Sequence, residues 1–116
     1  MEHCIADIRY CEKLFDSFYD IGSTENGGVT RLGYTEQEDR MHAVLTKLGR
    51  ELQCQVEEDE AGNTYVMNSQ DSDYYLIGSH LDSVIEGGRY DGVAGIIAGL
   101  MVMKWAQEEG MKVPIR

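Results

Sequence analysis

Apolar residues recur every three or four positions in two stretches of the first half of the chain, which is the spacing of amphipathic helices. The first stripe consists of Ile5, Ile8, Cys11, Leu14, Phe15 and Phe18. The second stripe consists of Met41, Val44, Leu45, Leu48 and Leu52. It is preceded by Thr35-Glu36-Gln37-Glu38, a capping-box pattern in which a hydroxyl and a carboxylate bond each other's backbone N–H groups. We therefore expect two helices whose stripes face the core.

The second half of the chain predicts strands followed by a helix. Residues 55–59 and 64–67 flank four turn residues and predict a hairpin. The continuous apolar run 74–78 is typical of a central strand that is buried on both faces. Residues 92–109 are apolar nearly all round and predict a buried helix, which Gly110 would cap. The pattern as a whole indicates an α/β fold with helices packed on a sheet.

Length and cysteine usage indicate one small domain in a reducing compartment. The 116 residues suit a single domain, and no run of eighteen or more apolar residues predicts a membrane span. Residues 1–4 lack the basic and apolar regions of a signal peptide, so we expect a cytoplasmic protein without membrane contact. The three cysteines lack Cys-x-x-Cys spacing, which favours reduced thiols over disulfide bonds or a thiolate metal site.

The net charge of −11 restricts the possible partners. The 21 acidic residues outnumber 10 basic ones, so the chain would repel nucleic-acid phosphates and anionic lipids. The same field would not attract an anionic substrate. If the substrate carries a carboxylate, local basic groups have to hold it.

His80, Asp82 and Asp91 offer imidazole nitrogen and carboxylate oxygen, the donors that zinc and similar divalent metals bind. In an extended segment, residues two apart project from the same face, so Asp82 could accept the second N–H of His80 and fix its tautomer. Asp91 follows a flexible Gly87-Gly88 loop and starts a helix, from where it could reach the same metal. The alternative is structural: His80 ends a strand and Asp91 caps its own helix. His3 and His42 are left out of the site.

The stretch from Gly78 to Leu100, which contains Gly-Ser-His-Leu-Asp-Ser-Val, Gly-Gly and Asp-Gly, resembles the signature of the hydantoinase/carbamoylase family of metal-dependent amidohydrolases. That family lies within the co-catalytic zinc exopeptidase and aminoacylase superfamily. The resemblance implies a mixed-sheet, zinc-exopeptidase-like catalytic domain with two divalent metal ions (zinc, manganese, cobalt or nickel). It also implies that His80 is a metal ligand, that Asp91 bridges both metals, and that Asp82 orients His80.

Residues 27–32, Gly-Gly-Val-Thr-Arg-Leu, resemble a second stretch of the same family that lies near the active site. This resemblance makes Arg31 a candidate substrate-binding residue. The alternative is a solvated loop cation that pairs with a neighbouring carboxylate. The sequence does not decide between them.

The resemblance extends over residues 20–100 and implies that residues 1–116 are the incomplete N-terminal portion of a catalytic domain. The remaining metal ligands, the glutamate that transfers the proton, and the lid and dimerisation domain have no counterpart here. We therefore expect this chain alone to be inactive and to bind metal weakly or not at all, and the full-length protein to be a homodimer.

The activity that the resemblance implies is hydrolysis of a linear amide or ureido C–N bond in a small molecule. The leading substrate is an N-carbamoyl-L-amino acid, with allantoate or an N-carbamoyl-β-amino acid as variants. One alternative is a related aminoacylase or dipeptidase. Another is a non-catalytic binding or structural domain that retains the scaffold, although His80, Asp82 and Asp91 are all present.

Overall fold

Three helices and one hairpin form the regular structure of the chain, which a computed structural model describes over residues 2–116, with side chains from Cys4 onward. His3 lies outside the residues whose side chains are described, so its exclusion from the site stays a prediction. The elements are α1 (Glu2–Tyr19), α2 (Glu36–Glu51), β1 (Gln55–Glu58), β2 (Thr64–Met67) and α3 (Val93–Glu108). Helices packed on a small sheet confirm the α/β fold class.

The hairpin forms where the turn residues predict it. β1 and β2 pair antiparallel, from Gln55 opposite Met67 to Glu58 opposite Thr64. Asp59 closes the turn because its carboxylate accepts the backbone N–H groups of Ala61 and Asn63. The Asn63 side-chain amide donates to the same carboxylate, and it lowers the pKa of Asp59 together with these backbone hydrogen bonds, because all of them stabilise the ionised form.

Helix α2 begins directly after Thr35, but the hydrogen bonds of the predicted capping box do not form. The Thr35 hydroxyl donates to the carbonyl of Leu32 at 2.6 Å and makes no hydrogen bond to the helix. The Glu38 carboxylate accepts the N–H of Tyr34 at 3.0 Å. Tyr34 has a φ of 62°, and this left-handed turn presents the N–H of Tyr34 to Glu38.

The prediction that residues 74–78 form a central strand buried on both faces is wrong for the described chain. The segment is extended and runs parallel to residues 114–116: Tyr75 N–H donates to Pro114 O at 2.9 Å, and Ile77 N–H donates to Arg116 O at 2.8 Å. Ile77 packs on α3 beside Gly99, whereas Leu76, on the opposite face, is 66% exposed. No described element covers that second face.

The apolar stripes of α1 and α3 are also only partly buried. Leu14 and Phe18 of α1 enter the core, but Ile5 and Ile8 are 51% and 60% exposed, so the first two residues of the predicted stripe are not core. In α3, the face that contains Trp105 is solvent-accessible. Gly110 caps α3 as expected: its φ is 63°, and the next N–H, that of Met111, reaches back to Ala106 O.

One core joins the three helices to β2 and to the segment after residue 80. Its buried members include Leu14, Phe18, Met41, Leu45, Leu48, Val66, Leu81, Val93, Ile97 and Leu100. All three cysteines are free thiols, as expected. Among the described residues, no helix is long and apolar enough to cross a membrane.

We expect the exposed edge at residues 74–78 to make the chain self-associate. In a parallel pair, alternate residues point their backbone groups to opposite sides, so Leu76 presents unpaired N–H and C=O groups beside exposed apolar side chains. The weight-average mass in sedimentation equilibrium should rise with protein concentration, and Leu76→Lys should reduce this rise. Val84→Lys, which adds the same charge at an equally exposed loop position, should not. A monomer at every concentration would contradict the prediction.

Candidate metal centre

The alternation of side chains after residue 78 places His80 and Asp82 on one face. Leu81 and Ser83 point into the protein and are 4% and 7% exposed. The side chains of His80 and Asp82, on the other face, are 52% and 45% exposed. The core contact of Leu81 therefore fixes the direction in which both polar side chains point.

Asp82 holds one nitrogen of the His80 ring. His80 Nδ1 lies 3.1 Å from Asp82 Oδ1 and 3.1 Å from the Asp82 backbone oxygen. Because both partners are acceptors, Nδ1 carries the hydrogen in the neutral ring, and Nε2 keeps its lone pair. This is the tautomer that binds a metal through Nε2, with a carboxylate behind it.

Asp91 faces that lone pair. Its Oδ2 atom lies 3.7 Å from His80 Nε2, within the separation of about 3 to 5 Å expected for two ligands of one metal. The alternative in which Asp91 caps its own helix does not describe this structure, because Gly92 occupies the cap position and α3 has no side-chain cap hydrogen bond. Asp91 contributes only its backbone oxygen, which accepts the N–H of Val93.

The donor set and the spacing fit a divalent cation. Two ligands at about 2.0–2.2 Å from a tetrahedral zinc ion lie about 3.4 Å apart, close to the observed separation. With the hydrogen on Nδ1, a cation placed between His80 Nε2 and Asp91 Oδ2 would bind both atoms. Within residues 4–116, however, no group of three or more His, Cys, Asp or Glu side chains could hold a metal. The metal roles of His80, Asp82 and Asp91 therefore stay predictions.

Gly92 allows the start of α3 to approach His80. It has a φ of 73°, and a Cβ atom at this position would lie 2.5 Å from His80 Nδ1 and 2.6 Å from Cε1. Only glycine tolerates both this backbone conformation and this contact. The sequence placed Gly92 at the start of the predicted helix 92–109 and gave no signal of its contact with His80.

Arg31 is not among the residues that the structure brings together at His80. Its side chain is 1% exposed, and its guanidinium donates from Nε to Ile21 O and from Nη2 to Phe18 O, both at 2.7 Å. Burial lowers the pKa of Arg31, and the nearby charge of Arg89 lowers it further. The alternative of a solvated loop cation is therefore wrong, because the buried guanidinium binds the carbonyls of Phe18 and Ile21 at and just after the end of α1. The substrate-binding role of Arg31 stays a prediction.

Ser83 joins this arginine to the candidate metal centre. The backbone of Arg31 donates to Ser83 Oγ at 2.9 Å and accepts from the N–H of Ser83 at 2.8 Å. Residues 27–32 thus lie beside the segment that carries His80, as the resemblance implied, although Arg31 supports the segment from inside. Ser83 was not among the residues predicted from the sequence. The available signal was the alternation of side chains, which turns Ser83 inward because Asp82 faces outward.

A groove of 580 Å³ opens beside His80 and Asp82. It lies between α2, the hairpin, α3 and residues 76–82, and His42 and Tyr34 contribute to its wall. His42 accepts or donates a 2.7 Å hydrogen bond with Thr64 of β2. His42 was left out of the site, and the structure places it in the groove wall but does not bring it to the His80–Asp91 pair.

Several known proteins with similar sequences are named as amidohydrolases. No protein-family model matches the chain. It is 39% identical over 95 residues to the N-carbamoyl-L-amino acid amidohydrolase of Geobacillus stearothermophilus, covering 79% of this chain and 23% of that protein. It is 36% identical over 91 residues to the allantoate amidohydrolase of Bacillus subtilis (strain 168), covering 75% of this chain and 22% of that protein.

The fold gives the same result. A crystal structure of a hydantoinase/carbamoylase family amidase from Burkholderia ambifaria superposes with a TM-score of 0.84 at 32% identity, over 92% of this chain and 28% of that one. The chain thus spans about a quarter of the length of the relatives it matches. By sequence and by fold, the chain is similar to one part, about a quarter, of hydantoinase/carbamoylase family amidases.

Proposed function

We propose that this chain is part of a metal-dependent amidohydrolase that cleaves a linear, non-peptide C–N bond. The observation that carries the proposal is the His80–Asp91 pair, with 3.7 Å between Nε2 and Oδ2 and with Asp82 on the opposite ring nitrogen. The similarity to two kinds of amidohydrolase supports the same reaction class. The further ligands and the proton-transferring base would come from the three quarters of such a protein that this chain does not span.

Each of the three residues of the candidate centre has a defined part in this proposal. His80 would bind a metal through Nε2 and Asp91 through Oδ2, while Asp82 would hold the hydrogen on His80 Nδ1 and so keep the ring in its metal-binding tautomer. The bound divalent metal ions would supply Lewis acidity and activate water near neutral pH. The exposure of His80 and Asp91 leaves this side of the centre open to a substrate.

The proposed substrate is an N-carbamoyl-L-amino acid, because the relative with 39% identity is named for that activity. Allantoate is the second candidate, favoured by the relative with 36% identity. Both are ureido compounds with a carboxylate. The buried Arg31 does not reach the His80 face, so the cation that holds the carboxylate would lie elsewhere in the whole protein.

A chimera tests this proposal. Residues 1–116 would replace the matching segment of the Geobacillus stearothermophilus amidohydrolase, and release of ammonia from N-carbamoyl-L-amino acids would be measured. We expect activity that a chelator removes and that manganese, cobalt or zinc restores. His80→Ala and Asp91→Ala should each lower kcat/KM by about 100-fold or more, because each removes a metal ligand. Asp82→Asn should cost about 10- to 100-fold, since it disturbs only the orientation of His80.

Asp73→Ala, an exposed aspartate outside the centre, serves as the control and should leave kcat/KM unchanged. A chimera whose activity survives both His80→Ala and Asp91→Ala would refute the metal centre. A folded chimera without activity would favour the non-catalytic domain. The 116-residue chain alone should show no hydrolysis, and turnover that His80→Ala abolishes would contradict this.

A further inference from the structure

The last turn of α1 holds the loop that precedes α3. The guanidinium carbon of Arg89 lies 3.8 Å from the centroid of the Tyr19 ring, and Arg89 Nη2 lies 3.7 Å from Asp16 Oδ1. The next residue, Tyr90, packs edge-on against Phe15, with 5.1 Å between the ring centroids and 85° between the ring planes. We call these five residues the α1 clamp. Two adjacent loop residues are thus attached to one helix turn.

The rest of this loop has little packing of its own. Val84 and Ile85 are 71% and 68% exposed, so they add nothing to the core. The backbone is paired at Gly87, whose N–H and C=O bond Val29 at 2.7 Å and 3.0 Å. Asp91 comes four residues later, and its own side chain is 71% exposed. The attachment nearest to Asp91 on its N-terminal side is therefore the α1 clamp.

Charges of both signs act on Arg89 at this end of α1, because the helix end and Asp16 attract its guanidinium whereas the nearby charge of Arg31 repels it. The C-terminus of a helix carries the negative end of its dipole, and Asp16 adds a further negative charge near that end. Arg89 meets both while its planar group stacks on Tyr19, a combination that lysine reproduces only in part. The side chain of Arg89 is 30% exposed and that of Asp16 is 76% exposed, so solvent screens the ion pair and the stack on Tyr19 is the main attachment.

We propose that Arg89 is a positioning residue for the candidate metal centre. By binding Tyr19 and Asp16, it holds the backbone of Asp91 at the distance from His80 at which both side chains can bind one divalent cation. Arg89 acts through the two peptide units that separate it from Asp91. The inference rests on the proposed function, because it takes His80 and Asp91 as metal ligands.

The test uses Mn²⁺ alone as the probe, added to the protein up to millimolar concentration so that weak binding is detected, and followed by NMR. Paramagnetic broadening of the amide signals of Asp91 and Gly92 reports binding at the centre itself. Arg89→Ala should raise the Mn²⁺ concentration for half-maximal broadening about three- to tenfold, because the loop loses its stacking contact. Arg89→Lys keeps the charge but not the planar stack, and should recover only part of the affinity.

Variants of the ring partner separate positioning from a general loss of stability. Tyr19→Phe keeps the ring and should leave Mn²⁺ binding unchanged, whereas Tyr19→Leu should reproduce the effect of Arg89→Ala. The double variant should be no weaker than either single one, since both remove the same contact. Arg116→Ala removes a similar stack, 4.0 Å from the ring of Tyr74, and should not alter Mn²⁺ binding.

His80→Ala distinguishes the two levels of the argument. If His80→Ala abolishes the broadening at Asp91 and Arg89→Ala leaves the affinity unchanged, the positioning role is overturned and the metal centre stands. If His80→Ala also leaves the broadening unchanged, the metal centre of the proposed function fails, and the role of Arg89 fails with it. An equal loss of affinity in Arg116→Ala would likewise overturn the positioning role.

Discussion

Gly92→Ala is expected to destabilise the chain by roughly 2–4 kcal/mol and to displace His80 from Asp91. A left-handed backbone costs a residue with a Cβ about 1–2 kcal/mol, and Gly92 has a φ of 73°. The new Cβ would also collide with the carbonyl oxygen of His80 and lie 2.5 Å from its Nδ1 atom. Because part of this collision is with backbone, the start of α3 or the His80 segment has to move.

Two measurements test Gly92→Ala. The midpoint of urea denaturation reports stability, and the NMR signals of the His80 ring in the folded protein report its contact with Asp82. Gly88→Ala is the matched control, since a Cβ at Gly88 meets no atom within 4 Å and Gly88 has no positive φ. It should change stability by no more than about 1 kcal/mol. A Gly92→Ala protein with wild-type stability and an unchanged His80 ring would show that the predicted close contact does not exist.

Arg31→Met is expected to cost about 2–5 kcal/mol of unfolding free energy. Methionine fills similar space but donates no hydrogen bond, so the carbonyls of Phe18 and Ile21 lose their charged partner inside the protein. The stability of Arg31→Lys should fall between those of the wild type and Arg31→Met, because one ammonium cannot reproduce the two directed N–H groups. Denaturant midpoints at constant m-value would measure both losses.

Arg50→Met is the control for this substitution, because Arg50 is an exposed arginine in the last turn of α2. Its loss should cost less than about 1 kcal/mol. The same variants decide between the two interpretations of Arg31. If Arg31 binds substrate, its substitution should raise KM in the chimera and leave stability unchanged. That result would refute the structural role.

Local patterns were sufficient to predict the elements that depend on neighbouring residues. The three-and-four spacing predicted α1 and α2, the turn residues predicted the β1–β2 hairpin, and Gly110 marked the end of α3. The alternation of side chains also predicted that His80 and Asp82 share a face. These features follow from backbone geometry over a few residues, which the sequence contains in full.

Burial was not predictable in the same way. An apolar run such as 74–78 is compatible with a buried strand, but Leu76 is 66% exposed because no described element covers its face. Ile5 and Ile8 continue the stripe of Leu14 and Phe18 and yet lie outside the core. Hydrophobic spacing states which face could be buried, whereas the elements packed against that face decide whether it is.

The sequence by itself determined the helices, the hairpin and the residue types of the candidate centre, together with the family resemblance that named His80, Asp82 and Asp91. Only the tertiary structure decided that Asp91 comes within 3.7 Å of His80. Only it showed that the Arg31 side chain is buried and that the Arg31 backbone bonds Ser83, beside the segment of His80. The reason is that secondary structure is set by residues three or four positions apart, whereas these contacts join segments that are distant in sequence and meet only when the core has packed.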